Sequence, residues 1–227
     1  MHLEKWLCQL KGFASDTYVR WGMTSCPSDN ELIYKGIAGG SFWAHTGSAA
    51  NWICLTDSPE WGYYEENVAS YNSNLSSSSN WICLNDSPQW NYYEEMWPQE
   101  QRCMAGNTSL ATTTLTEGKN YFGSNLNDGD APCAVCKSPR SSTVMIPGRK
   151  NCFPGWTKEY NGYLVAGEYQ HASASEFICL DKRPKLREGG SLNHDGKTFY
   201  LAEAVCGSLP CPPYVEGREL TCVVCSK

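Results

Sequence analysis

Cys133-Ala134-Val135-Cys136 and Cys222-Val223-Val224-Cys225 are one pattern written twice, a pair of cysteines around a valine, and each closes a stretch of this chain. The residues upstream of each copy also match. Thr17, Gly22, Cys26, Tyr34, Gly36, His45, Ile53, Cys54 and Leu55 form one series, and Thr143, Gly148, Cys152, Tyr160, Gly162, His171, Ile178, Cys179 and Leu180 form the other. Spacing agrees from the threonine to the histidine, and one residue of slippage precedes the Ile-Cys-Leu. The expected architecture is two homologous β subdomains in tandem, related by pseudo-symmetry, over residues 14–138 and 139–227 after an N-terminal extension of residues 1–13.

A shorter repeat explains why the first half is longer. The run from Asn51-Trp52-Ile53-Cys54-Leu55 to Glu66 recurs 29 positions later, from Asn80 to Glu95, with 13 of 16 positions identical. The separation Cys54 to Cys133 is 79 positions; 79 minus the 29-residue duplication (about residues 67–95) leaves 50, against 43 for Cys179 to Cys222. Two copies do not make a solenoid, which needs about three stacked units. One copy is expected to hold the structural position, with Ser76 to Ser79 as a flexible linker between them.

Secondary structure reads as mostly β and disulfide-rich. No long window repeats apolar residues at helical spacing. Short runs such as Glu31-Leu32-Ile33-Tyr34, Tyr163-Leu164-Val165, Thr198-Phe199-Tyr200-Leu201 and Leu220-Thr221-Cys222-Val223-Val224 are bounded by turn-forming residues. Asp57-Ser58-Pro59 reads as a turn start, and Gly39-Gly40-Ser41 as a turn rather than a phosphate loop, because no Lys-Ser/Thr follows.

Composition narrows the class. The 227 residues are 19% charged and 12% aromatic, with nine tryptophans, which argues against disorder. A net charge of -6 argues against a nucleic-acid backbone as the main partner, and no apolar run reaches membrane-helix length. Thirteen cysteines point to an oxidised, extracellular framework, and their odd number leaves at least one thiol free or paired between chains. The start, Met1 to Cys8, lacks a signal-peptide pattern, so the secreted chain is expected as a mature form, a fragment or an imperfect start.

Several motifs in fixed order carry a resemblance. Tyr18-Val19-Arg20-Trp21-Gly22, Cys26-Pro27, Tyr34-Lys35-Gly36-Ile37-Ala38-Gly39-Gly40-Ser41 and Asn51 to Leu55 precede Pro132 to Cys136, Gly207 to Tyr214 and Thr221 to Lys227. From about Thr17 onward, outside the duplication, the chain resembles the non-collagenous C-terminal domain of short-chain, spongin-type collagens and related collagen-free proteins. That family is in turn similar to the C-terminal non-collagenous domain of type IV collagen, itself two similar halves each ending in Cys-x-Val-Cys. No Gly-X-Y tract is present, so this chain forms no triple helix.

The six cysteines of the second half allow fifteen connectivities, which spacing alone leaves open. The resemblance implies a nested plan: Cys152–Cys225, Cys179–Cys222 and Cys206–Cys211, with Cys26–Cys136 and Cys54–Cys133 in the first half. Cys8, Cys83 and Cys103 are left over. Cys83 duplicates Cys54 and could replace it or pair with Cys103, and Cys8, outside the repeat, is expected to be unpaired.

Other chemistry finds less support. Zinc would use both Cys-x-x-Cys pairs, but their separation far exceeds structural-site spacing. A thioredoxin-like reading lacks its βαβ context. His45 and His171 share an offset and read as backbone-bonded histidines rather than metal ligands. Glu65-Glu66 and Glu94-Glu95 read as solvated, because neighbours on a strand face opposite ways. No hydrolase elbow or HExxH pattern occurs, so neither enzymatic activity nor a cofactor or metal is expected.

The expected function is a secreted extracellular-matrix structural or adhesive module, acting by association with itself or with other matrix chains. Trp61, Tyr63 and Tyr64, with their copies Trp90, Tyr92 and Tyr93, support an alternative lectin-like reading in which exposed aromatics stack on glycans. Asn74, Asn85 and Asn107 begin glycosylation sequons in or beside the duplicated region.

Overall fold

A computed structural model describes residues 14–41, 46, 50–60, 109–110, 122, 126, 129–187 and 197–227. The described chain is built from strands, with no helix among them. They are β1 (Asp16–Trp21), β2 (Glu31–Gly39), β3 (Ile53–Thr56), β4 (Ser109–Leu110), β5 (Gly129–Asp130), β6 (Pro132–Ser138), β7 (Thr143–Pro147), β8 (Thr157–Ala166), β9 (Ile178–Asp181), β10 (Thr198–Leu201) and β11 (Thr221–Ser226).

The two Cys-x-Val-Cys segments are β6 and β11, and both lie between neighbours. β6 pairs antiparallel with β1 and β2, and β11 with β7 and β8. The registers correspond. Cys136 faces Tyr18 and Leu32 while Cys225 faces Val144 and Lys158; Cys133 faces Trp21 and Gly36 while Cys222 faces Pro147 and Gly162. Even the β-bulge recurs, skipping Ile33 in β2 and Glu159 in β8. Strands β2–β3 and β8–β9 complete each set, aligning Ala38 with Cys54 and Leu164 with Cys179.

The two sets meet at one parallel bridge, Trp21 to Leu180, between β1 and β9. Gly22, at φ +86°, turns the chain out of β1 there, and its amide donates to the Pro132 carbonyl at 2.8 Å. A Cβ on it would stand 2.8 Å from Pro184 Cβ and 2.9 Å from Leu180 Cδ1, so glycine lets the two segments touch. One apolar cluster crosses this joint and holds Trp21, Trp52, Val165, Leu180 and Phe199. A second gathers Tyr18, Cys136, Tyr160, Leu164, Cys179 and Val224.

Among the described residues there are five disulfides: Cys26–Cys136, Cys54–Cys133, Cys152–Cys225, Cys179–Cys222 and Cys206–Cys211. These are the partners the resemblance implies. The four that close 110, 79, 73 and 43 residues each restrict the unfolded chain by about 4–5 kcal/mol in the loop-entropy picture, against about 2 kcal/mol for the 5-residue loop. Cys8, Cys83 and Cys103 lie outside the described residues, as does the second copy of the duplicated segment; the first copy supplies β3 and Cys54.

One expectation is corrected. Gly39-Gly40-Ser41 is no turn: β2 runs through Gly39, and Gly40 continues it as a bridge. The Trp52 ring occupies the space where a Gly40 Cβ would stand, with its Cζ3 2.8 Å from that point. The glycine serves an aromatic neighbour, a requirement that no local sequence pattern records.

Candidate functional site

Two features lie where the strand sets meet: a buried polar cluster and an apolar cleft. The cluster is centred on Glu159, the bulged residue of β8, whose side chain is 1% exposed. Asn30 Nδ2 donates to its Oε2 at 2.7 Å and the Tyr18 hydroxyl to the same oxygen at 3.3 Å. Its Oε1 accepts from Arg140 Nη1 at 3.1 Å, from the Ser138 hydroxyl at 3.4 Å and from the Ser226 hydroxyl. Arg140, between β6 and β7, also pairs with Asp29. One carboxylate thus gathers donors from β1, β6, β11 and two connections, as a buried charge requires. Burial, and then the Glu159 charge, push the Tyr18 hydroxyl well above the ordinary tyrosine range.

Two further ionic contacts hold the joint. Arg20 donates from Nη2 and Nε to Asp181 Oδ2, at 2.7 and 3.0 Å, and Nη1 reaches the Ser25 carbonyl at 3.0 Å. Asp16, opening β1, accepts from the Thr143 amide at 2.6 Å and the Thr143 hydroxyl at 2.7 Å, which fixes the start of β7 beside β1. The Thr143 hydroxyl, followed by the Thr17 amide, holds the Asp16 carboxyl below its ordinary value. Arg140 does the same for Asp29.

Both folded values lie below the unfolded carboxylate value, so their stabilising contribution is complete above about pH 4 and is lost as pH falls through the folded values. Acidification from about pH 5 to pH 2 is expected to lower the denaturation midpoint, and Asp16→Asn to flatten that dependence. Denaturant titrations at each pH check this; an equally steep acid loss in Asp16→Asn contradicts it.

Above Tyr160 a cleft of about 320 Å³ opens, lined by Tyr18 and Val19 of β1, Val144 and Met145 of β7, and Phe177 and Ile178 at β9. Tyr160 stacks on Tyr18 with ring centroids 6.2 Å apart, and its hydroxyl lies 3.0 Å from the Cys179 carbonyl and 3.1 Å from that of Val19. Phe177 and Val144 are 59% and 40% exposed at the rim. The lining is mostly apolar; among its polar groups the Tyr160 hydroxyl bonds the Cys179 and Val19 carbonyls and Glu176 accepts the Trp52 amide. Such a surface suits apolar contact.

The expected site residues fall into two groups. Eight of the ten paired cysteines fasten β3, β6, β9 and β11 to one another or to the connections after β1 and β7, and Cys206–Cys211 closes a small loop between β10 and β11. Trp61, Tyr63, Tyr64, Trp90, Tyr92, Tyr93, Asn74, Asn85, Asn107 and His45 lie outside the described residues. His171 sits with Nε2 3.9 Å from Glu168 and its ring edge-on to Tyr200, while its amide donates to the Glu168 carbonyl. Among the described residues no three His, Cys, Asp or Glu side chains are grouped to hold a metal, and no helix is long and apolar enough to cross a membrane. Sequence reading missed Glu159, the cleft rim and the Arg20–Asp181 pair. Compared with the models of known protein families and with curated protein sequences, the chain matches none.

Proposed function

We propose that this chain is an extracellular structural module that works by docking onto copies of itself or onto related matrix chains. In this reading the two strand sets are tandem copies of one unit, akin to the non-collagenous domains of short-chain collagens. The five disulfides are compatible with an oxidising compartment outside the cell.

The observation that carries the reading is an unequal pair of edges. β1 and β7 hold corresponding positions against β6 and β11, but the outer edge of β1 meets β9, whereas β7 pairs with β11 alone among the described strands. Likewise β9 joins β1, while β3, in the corresponding position, pairs with β2 alone among the described strands. A Cβ on Gly22 would run into Pro184 and Leu180, whereas one on Gly148, its counterpart, would meet nothing closer than the Tyr214 hydroxyl at 4.0 Å. The chain therefore carries both sides of its internal joint again, one at each end, which is the geometry of head-to-tail association. Such a contact uses side chains: exposed Val144 of β7 and Phe177 across the cleft on one side, and exposed Leu32 and Ile33 of β2, the strand that β3 pairs with, on the other.

Val144→Asp and Phe177→Asp test it. Both sites are exposed, so the thermal midpoint should barely move, while self-association measured by sedimentation should weaken roughly tenfold or more. Wild-type association in the double variant would remove this surface from the account.

A further inference from the structure

Residues 182–187 read Lys182-Arg183-Pro184-Lys185-Leu186-Arg187, four cations in six residues of a chain whose net charge is -6. The run leaves β9 and crosses the end of β1 under tight backbone control. The Lys182 amide donates to the Asn161 carbonyl at 3.1 Å, the Lys185 amide to Gly22 at 2.8 Å, and the Arg187 amide to Asp130 at 3.0 Å. The Arg183 amide donates to Asp181 Oδ1 at 3.0 Å. Pro184 is buried against Gly22, so the segment is pinned while Lys182, Arg183 and Lys185 remain exposed.

Those three side chains make no ion pair or side-chain hydrogen bond among the described residues. The acid that precedes the run is committed elsewhere: Asp181 holds Arg20 through Oδ2 and the Arg183 amide through Oδ1. Beside the run lies a polar depression of about 210 Å³, lined by Lys158, Asn161, Lys182 and Arg183, with Arg20, Tyr160, Asp181 and Glu159 also in its wall. Glu159 is turned into its own cluster, where Arg140 and four other donors hold it. The result is a fixed strip of uncompensated positive charge with an adjoining hollow that presents hydrogen-bonding groups.

We infer that this strip binds a sulfated polysaccharide. Several cations along one pinned backbone match a linear polymer with repeated anionic groups better than a single small anion. Asn161 and Lys158 in the hollow provide polar contacts for sugar hydroxyl and sulfate oxygens. No aromatic side chain belongs to the run, so it offers no platform for stacking nucleobases, and the disulfide framework fits a compartment where sulfated polysaccharides occur. The site is separate from the cleft at Val144 and Phe177, so loss of one leaves the other to be measured.

Heparin chromatography of the full, unreduced chain is the test. Wild type should be retained at physiological salt, and Lys182→Gln/Arg183→Gln/Lys185→Gln should bind roughly tenfold or more weakly, with a shallower dependence of log affinity on log salt by about one per charge removed. The charge-matched Lys35→Gln/Lys150→Gln/Lys227→Gln should bind like wild type. Sedimentation of both variants should match wild type, which separates failure here from failure of the docking surface. The proposal is overturned if wild type flows through, if the two triple variants weaken equally, or if duplex DNA competes as well as heparin at equal charge.

Discussion

Glu159→Leu is expected to lower the unfolding free energy by about 3–5 kcal/mol, the cost of breaking a buried, fully hydrogen-bonded charge. The loss has several origins. Arg140 keeps Asp29, but the Tyr18, Ser138 and Ser226 hydroxyls and the Asn30 amide all lose an acceptor in an enclosed site. Leucine fills the volume without accepting a single hydrogen bond, so each orphaned donor adds its desolvation cost. Asp29→Asn provides the contrast: that side chain is 50% exposed, and losing its pairing should cost no more than about 1 kcal/mol. Denaturant unfolding with the disulfides intact compares the two; equal small losses would mean that Glu159 is not the hub of the joint.

Gly162→Ala should be comparably severe, at about 3 kcal/mol or more. A Cβ at Gly162 would stand 1.7 Å from the Leu180 carbonyl oxygen, and at Gly36 it would stand 1.6 Å from that of Leu55. Both obstacles are backbone atoms of the paired strand, so no rotamer change relieves them and the strands must part. Gly36→Ala should therefore behave like Gly162→Ala. Gly155→Ala should not: its surroundings are open, and only its φ of +84° opposes a side chain, at about 1–2 kcal/mol. Thermal or denaturant midpoints of the three variants decide it, and a near-neutral Gly162→Ala would show that β8 and β9 are not paired in this register.

These two sites differ in how far sequence alone reveals them. Gly36 and Gly162 appear in the long repeat because the same close approach recurs in the same register, so comparing the chain with itself finds them. Glu159 leaves no such trace. Its counterpart at the bulge is Ile33, which is 47% exposed, and an acid between Lys158 and Tyr160 reads as solvated. What buries it is the joint between the two strand sets, which self-comparison does not contain. The strands themselves were legible from β-favouring runs between turn residues, although β2 extends further than its apolar stretch because glycines continue it beneath Trp52. The disulfide partners came from resemblance, since spacing permits fifteen connectivities in the second half. The basic run was written in the sequence throughout; its meaning depends on the pinned backbone and the committed Asp181, which only the fold supplies.

Association can be read by sedimentation velocity of the full, unreduced chain with its free thiols blocked. Across a series from micromolar to near-millimolar protein, the sedimentation coefficient should rise or a discrete multimer appear, and Val144→Asp/Phe177→Asp should move that rise to roughly tenfold or more higher concentration. A single monomeric species at every concentration would contradict association.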